Sequence, residues 1–407
     1  MFFAALLKSM VRSGSLRLID PAGRRHEIGD GAPPAAVIRI ASRRVDAQLA
    51  LNPALHVGEA YMDGALTIEE GTLYDFLAVC ARNYDNLLRN PWFAFVHKAA
   101  RGIKQYNPVG RAQRNVAHHY DLSDKLYDLF LDKDRQYSCA YFADAGDSLE
   151  AAQENKKRHI AAKLLLDRPR LKVLDIGSGW GGLGLYLAEE SGADVTGVTL
   201  SVEQHKVSEA RAARAGLADR VRFRLRDYRE ESGRYDRIVS VGMFEHVGAP
   251  HYRAFFRRIR ELLAEDGVAL LHSIGRIDPP GGTNAWLQKY IFPGGYTPAL
   301  SEVMAAVEAE GLWVTDIEIL RLHYAETLRE WRRRFAANRE KVRALYDERF
   351  CRMWEFYLTG CELGFRYAGQ MVFQMQLARR QEAVPLTRDY MVEWERGHAS
   401  QRRQAAQ

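Results

Sequence analysis

Between residues 171 and 275 the chain alternates short apolar runs with amphipathic segments of helix length, and this alternation limits the fold more than any other feature. LKVLDIG (171–177) is apolar and ends in glycine, and a helix pattern follows over 183–190. ADVTGVTL (193–200) comes next, then a helix opened by Ser201 with Gln204 three residues on, the spacing of a capping box. VRFRL (221–225), YDRIVSVGM (235–243) and GVALLHSIG (267–275) supply three more strands. Strands that alternate with helices imply a parallel, doubly wound α/β sheet. WVTDIEIL (313–320) and QMVFQMQLA (370–378) read as late strands, with long amphipathic helices over 325–365. A Gly- and Pro-rich insertion, Arg276–Ala299, follows the fifth strand. Residues 1 to 80 mix short patterns: VIRI (37–40) reads as a strand, and LYDFLAVCARNYDNLL (73–88) as one helix. Asn107-Pro108-Val109-Gly110 is a turn and linker signal, dividing the 407 residues into domains at 1–108 and 109–407.

The loop Asp175-Ile176-Gly177-Ser178-Gly179-Trp180-Gly181-Gly182 joins the first of these strands to its helix. Glycine there permits a tight turn and close approach of a ligand to the backbone. Gly177, Gly179 and Gly182 fit the GxGxxG of dinucleotide enzymes. Gly177, Gly179 and Gly181 fit the GxGxG form found with S-adenosylmethionine (SAM), so the loop alone leaves both open. A nicotinamide site places an acid at the end of the second strand to hold the ribose. Here that end is Thr199-Leu200-Ser201, without one, which weakens the nicotinamide reading. Asp227 and Tyr228, after the third strand, offer a carboxylate and a ring to an adenine; Asp227 reads equally well as a loop cap.

The net charge of +6 is mildly basic, with Lys and Arg gathered around 82–114 and 321–343. Trp92, Phe93, Phe95 and Tyr106 lie within the first cluster, a mixture suited to an anionic membrane surface or nucleic acid, or simply to a solvated helix face. Four cysteines form no CxxC and no metal-ligand spacing, so no metal site is expected and a reducing cytoplasm fits. The start, MFFAALLKSMVRSG, lacks the basic region and cleavage site of a signal peptide. No run approaches the roughly 18 apolar residues of a membrane-spanning helix, so membrane contact is expected to be peripheral.

Several further stretches occur in order: HYDLSDKLYDLFLD (119–132), QYSCAYF (136–142), GVTLSVEQ (197–204), RIVSVGMFEHVG (237–248), KYIFPGGYTP (289–298), HYAETLREW (323–331) and YLTGCELGFR (357–366). Together with the glycine loop and LLHSIG (270–275) they resemble the cyclopropane-fatty-acyl-phospholipid synthases and the related mycolic acid cyclopropane synthases. GEAYMDG (58–64) is similar to the N-terminal domain of the phospholipid-acting members, which the mycolic acid enzymes lack. The resemblance implies a class I SAM-dependent methyltransferase fold with a smaller N-terminal domain that binds lipid and dimerises. It implies a homodimer acting on unsaturated phospholipid; peripheral attachment to anionic lipid at the cytoplasmic face of the inner membrane is expected from the basic, aromatic stretch 82–114 and the apolar N-terminus. Cofactor positions carried by it are Tyr137, Ser138, Gly177, Gly179, Thr199, Leu200, Gln204, Tyr228 and Arg229, to which the glycine loop adds Asp175 and Gly181 and spacing adds Asp227. Ser178 stands where relatives often have Cys.

The implied reaction adds a methylene from SAM across a cis double bond. The alkene attacks a methyl group, leaving a carbocation that aromatic faces can stabilise. A base must then remove a methyl proton so that the ring closes. The resemblance implies bound bicarbonate as that base, held by Cys139, Glu245, His272, Ile274 (through its backbone) and Tyr324. Tyr and His donate hydrogen bonds to an oxyanion and a thiol donates weakly. Glu245, an anion beside an anion, either shares the proton of bicarbonate or keeps His272 protonated. Cys361 matches a cysteine the family assigns to the active site, yet Tyr357, Cys361 and Phe365 share one helical face and read as packing. A SAM enzyme that stops at a methyl-branched or methylene product is the nearest rival. A nucleic-acid methyltransferase lacks support from any base-flipping or RNA-reading motif.

Overall fold

The computed structural model describes the backbone of residues 1–88 and 123–405, and side chains over 1–86 and 123–398. The Asn107–Gly110 linker and most of the 82–114 basic stretch lie outside the described residues.

The N-terminal unit is built on a four-stranded sheet of β1 (Ser15–Ile19), β2 (Arg25–Gly29), β3 (Ala35–Ile40) and β4 (Leu66–Glu70), in the order β2-β1-β3-β4. Leu16, Leu18, Ile38, Leu66 and Val79 are among its buried core residues. The apolar chain start forms a helix, Phe2–Met10, that buries Phe3, Ala4, Leu7 and Met10 in that core and leaves Phe2 exposed. Residues 73–88 form two helices, Leu73–Arg82 and Tyr84–Leu88, rather than one. Asn83 breaks the run because its buried amide turns to backbone carbonyls of Ser13 and Val79 while its oxygen accepts from Arg12 and Ser13.

The larger unit is the doubly wound sheet: β5 (Lys172–Ile176), β6 (Asp194–Thr199), β7 (Val221–Leu225), β8 (Tyr235–Val241), β9 (Leu263–Arg276), β10 (Trp313–Ile319) and β11 (Gln370–Ala378). The order is β10-β11-β9-β8-β5-β6-β7, parallel from β7 through β9, with β11 antiparallel to both its neighbours. β5 and β8 are buried almost throughout, as strands covered on both faces must be. The order reverses at β5, so the carboxyl ends of β5 and β8 flank the crevice where such sheets bind ligands.

The long helices lie between the last two strands, as His323–Ala337, Arg339–Leu345 and Glu348–Tyr367. They roof the crevice and join the two units: Glu348–Tyr367 packs against helices Leu73–Arg82 and Pro53–Met62. The Arg276–Ala299 insertion contributes a helix, Ala285–Tyr290, whose Trp286 is buried against Gly58 and Phe356.

Candidate active site

Two cavities meet at the carboxyl edge of the sheet. The first is walled by the β5 loop, the ends of β6 and β7, the turn after β8 and the irregular segment 134–138. That segment is pinned from below by the helix Leu149–Lys163. Lys156 Nζ donates to Gln136 Oε1 (2.5 Å) and Ser138 Oγ (2.9 Å), and Gln153 Nε2 donates to the carbonyls of Gln136 and Ser138. Lys156 is buried, which pushes its ammonium down to about 8 against the pull of Asp132.

Tyr137, Ser138, Asp175, Gly177, Gly179, Thr199, Leu200, Gln204, Asp227, Tyr228 and Arg229 all line this first cavity. Gly177 and Gly179 have φ of +81° and +55°, which explains glycine at both. A Cβ at Gly179 would meet nothing within 4 Å, so the loop's backbone faces open space. Gly181 departs from expectation. It does not line the cavity but turns the chain into the next helix, where a Cβ would strike Phe223 at 2.6 Å. Thr199 Oγ1 and Gln204 Oε1 lie 3.2 Å apart, the place where a nicotinamide enzyme would carry its acid. Asp227 has two places in the structure. It lines the cavity, yet it caps a short turn through the Arg229 amide and is held by the Arg229 side chain at 2.9 and 2.7 Å.

Asp175 decides what the cavity suits. It is 2% exposed, and its Oδ2 has no hydrogen-bond partner among the described residues. Burial pushes its carboxyl up to about 7, opposed by the nearby Lys156. A buried oxygen left unpaired beside an open glycine loop fits a cationic ligand such as the ammonium of SAM.

The second cavity shares Tyr137, Ser138, Gly242 and His246 with the first. It gathers the expected set from four separate places: Cys139, Glu245, His272 with Ile274, and Tyr324. Glu245 Oε1 accepts from the Ile274 amide at 2.6 Å, so that amide reaches the cavity through the carboxylate rather than directly. Glu245 Oε2 is buried without a partner among the described residues, and burial pushes the carboxyl up to about 7. Burial pushes His272 down to about 3, aided by Lys156, Lys163 and His159. A protonated His272 maintained by Glu245 is therefore not the arrangement found; a neutral ring beside a Glu that readily takes a proton is. Cys139 is 1% exposed and donates to its neighbour's carbonyl at 3.3 Å, and burial pushes its thiol well up, so no thiolate forms.

Cys361 lines the second cavity with Tyr357 and Phe365, so the shared helical face is a cavity wall as well as packing. Its thiol is pushed up to about 12 by burial. Arg366, near in sequence, is engaged by Glu362 and Glu326. The aromatic lining, Tyr137, Phe292, Tyr296, Tyr324, Tyr357 and Phe365, surrounds the polar knot with ring faces and edges. Tyr137 is fixed by stacking on Trp331 (5.2 Å between centroids) and by a 2.8 Å contact with the Tyr357 hydroxyl. Sequence reasoning misses His246, Met243 and Lys156, and reads Tyr357 as packing alone. Met243 and His246 lie inside RIVSVGMFEHVG, directly after a strand end, and that position was the available signal.

Comparison with known proteins agrees with this geometry. The family model described as mycolic acid cyclopropane synthetase matches residues 109–375. The chain belongs to this family. It shares 36% identity over 350 residues with the cyclopropane-fatty-acyl-phospholipid synthase of Escherichia coli, covering 86% of this chain and 89% of that one. Identity is also 36%, over 396 residues, with the tuberculostearic acid methyltransferase of Mycobacterium tuberculosis, covering 92% and 90% of the two chains. The solved mycolic acid cyclopropane synthase CmaA1, in complex with S-adenosylhomocysteine and CTAB, superposes with a TM-score of 0.62 at 35% identity, covering 67% of this chain and 99% of that one. As a mycolic acid cyclopropane synthetase family member, the protein is a SAM-dependent methyltransferase of class I fold, and the first cavity is where its residues suit that cofactor.

Proposed function

We propose that the protein is a cyclopropane-fatty-acyl-phospholipid synthase, acting on a cis double bond in an acyl chain of a membrane phospholipid. The observation that carries this reading is the junction of the two cavities. A polar cofactor cleft opens through Tyr137, Ser138, Gly242 and His246 onto an aromatic-lined chamber holding one cluster of polar groups. SAM supplies an electrophilic methyl group when bound, and bicarbonate supplies a proton acceptor. Asp175 and the Gly177–Gly179 backbone would hold the first, and Cys139, Glu245, His272 and Tyr324 the second. The rings of the chamber stabilise positive charge on the acyl chain without offering it a nucleophile. Glu245 at about 7 can carry the proton that lets it sit beside an oxyanion.

The reading extends to a homodimer working peripherally at the inner face of the cytoplasmic membrane, with residues 1–108 as the lipid-binding and dimerising domain. The membrane part rests on the net charge of +6 and on the basic, aromatic stretch 82–114, and the dimer and the role of residues 1–108 on the family resemblance; no helix among the described residues is long and apolar enough to cross a membrane. Sedimentation with anionic vesicles at low salt tests this part; a protein left in the supernatant refutes it.

Fatty-acid mass analysis of a host expressing the gene tests the activity. A gain of one CH2 that resists hydrogenation marks a ring. A methyl branch, saturated or beside a retained double bond, marks instead the second reading, a branching methyltransferase. That reading is favoured by equal identity to the tuberculostearic acid enzyme.

A further inference from the structure

QMVFQMQLA contains a pattern that the proposed chemistry leaves unexplained. It is an apolar strand, yet two of its inward side chains are glutamines, Gln374 (0% exposed) and Gln376 (1%). Buried amides are costly unless every polar atom is paired. Gln376 spends its amide on the Lys163 carbonyl and the Tyr390 hydroxyl. Gln374 is different, because its partner lies in the second cavity. The antiparallel register of β11 on β9 sets Gln374 directly opposite His272, and Gln374 Nε2 lies 3.1 Å from His272 Nδ1.

We propose that Gln374, oriented by Lys163, is a positioning residue that keeps the His272 imidazole in its Nε2–H form, so that the ring offers the second cavity a donor rather than a lone pair. The direction of the hydrogen bond follows from Lys163. A lysine has only donors, and its Nζ lies 2.7 Å from Gln374 Oε1. The amide oxygen must therefore face Lys163 and the NH2 must face the ring, since a flipped amide would set donor against donor. A ring nitrogen that accepts from an amide NH2 carries no proton. In a neutral imidazole the proton then sits on Nε2.

Lys163 is itself held. It pairs with Glu318, which also accepts from His159 Nε2 at 2.6 Å. His159 Nδ1 meets Glu395 on the C-terminal helix Asp389–Ala405. Burial first, and then Lys156, Lys163 and His159, raise the cost of a positive charge on His272, which holds the ring neutral. The consequence for function rests on the oxyanion reading above: a neutral Nε2–H stabilises an anion in the chamber, whereas a bare Nε2 repels it.

The test uses the full-length enzyme labelled with 15N-histidine, with the His272 signals assigned by their loss in His272→Gln. Long-range proton–nitrogen correlation then reads the tautomer in the resting protein, independent of turnover. Wild type is expected to show Nε2–H. Gln374→Met, which releases the ring, should show both tautomers. Gln374→Glu retains a partner for Lys163, so it preserves the local packing, but it can only accept from His272; it should show Nδ1–H. Turnover of the glutamate variant should fall on the order of 100-fold, the scale of losing one oxyanion donor, with SAM affinity unchanged. Nδ1–H or imidazolium in wild type, or Nε2–H retained in Gln374→Glu, overturns the proposal. A tautomer that switches as stated with turnover unaltered leaves Gln374 as the positioning residue and refutes the oxyanion reading instead.

Discussion

Asp175→Asn should move stability and cofactor binding in opposite directions. The carboxylate is buried, one oxygen has no hydrogen-bond partner among the described residues, and its pKa rises from 3.8 to about 7. At 1.36 kcal/mol per pKa unit, that displacement works against the ionised folded state by about 4 kcal/mol. The sign follows from linkage. The folded pKa lies above the unfolded one, so the penalty is absent below about pH 4, grows through the interval and is complete above about pH 7. An amide of the same shape escapes it. In cofactor-free protein at pH 8 the variant should therefore melt higher, by roughly 5 °C for a chain of this length. Cofactor affinity should move the other way, because the charged hydrogen bond to SAM is gone, so saturating SAM narrows the stability gap without closing it. A loss of about 1.5–3 kcal/mol corresponds to roughly 10- to 150-fold weaker binding. Thermal melts between pH 4 and 8.5, paired with calorimetric titration of S-adenosylhomocysteine, read both effects. A variant less stable than wild type at pH 8, or a stability difference independent of pH, would refute the reasoning.

Cys139→Ser retains a small donor against the same carbonyl and should preserve at least about a tenth of wild-type turnover, while Cys139→Leu pushes its bulk into the chamber where the polar cluster meets and abolishes it; an inactive but folded serine variant would restore the case for a nucleophile. Glu245→Gln resembles the protonated acid, since Ile274 N–H can bind its oxygen and the NH2 then faces the chamber. It should keep measurable turnover and lose the fall in rate expected above about pH 7, and an unchanged pH–rate profile counts against the assignment. Gly58→Ala brings a Cβ to 2.5 Å from Trp286 Nε1, so a chemical-denaturation loss of about 1–3 kcal/mol is expected, with weaker binding of acyl substrate because the neighbouring Leu287 lines the second cavity. Unaltered denaturation midpoints would show that the two units are not coupled there.

The sequence by itself determined the sheet and its cofactor loop. Strand and helix periodicities are local, and a glycine held at positive φ is visible wherever it occurs, so β5 to β9 and the Gly177–Gly179 turn are legible without any tertiary contact. The same logic failed where local pattern and tertiary demand part. Gly181 completes a motif in sequence but serves the packing of Phe223, and Asn83 interrupts a helix to satisfy backbone groups 70 and 71 residues away. Only the tertiary structure decided which polar residues face one another. Cys139, Glu245, His272 and Tyr324 come from four separate segments, and their meeting depends on strand order and on the helices inserted between β10 and β11. Protonation followed the same rule. Asp175 and Glu245 are ordinary acids in sequence, and His272 an ordinary base, until burial removes the water that would stabilise their charged forms.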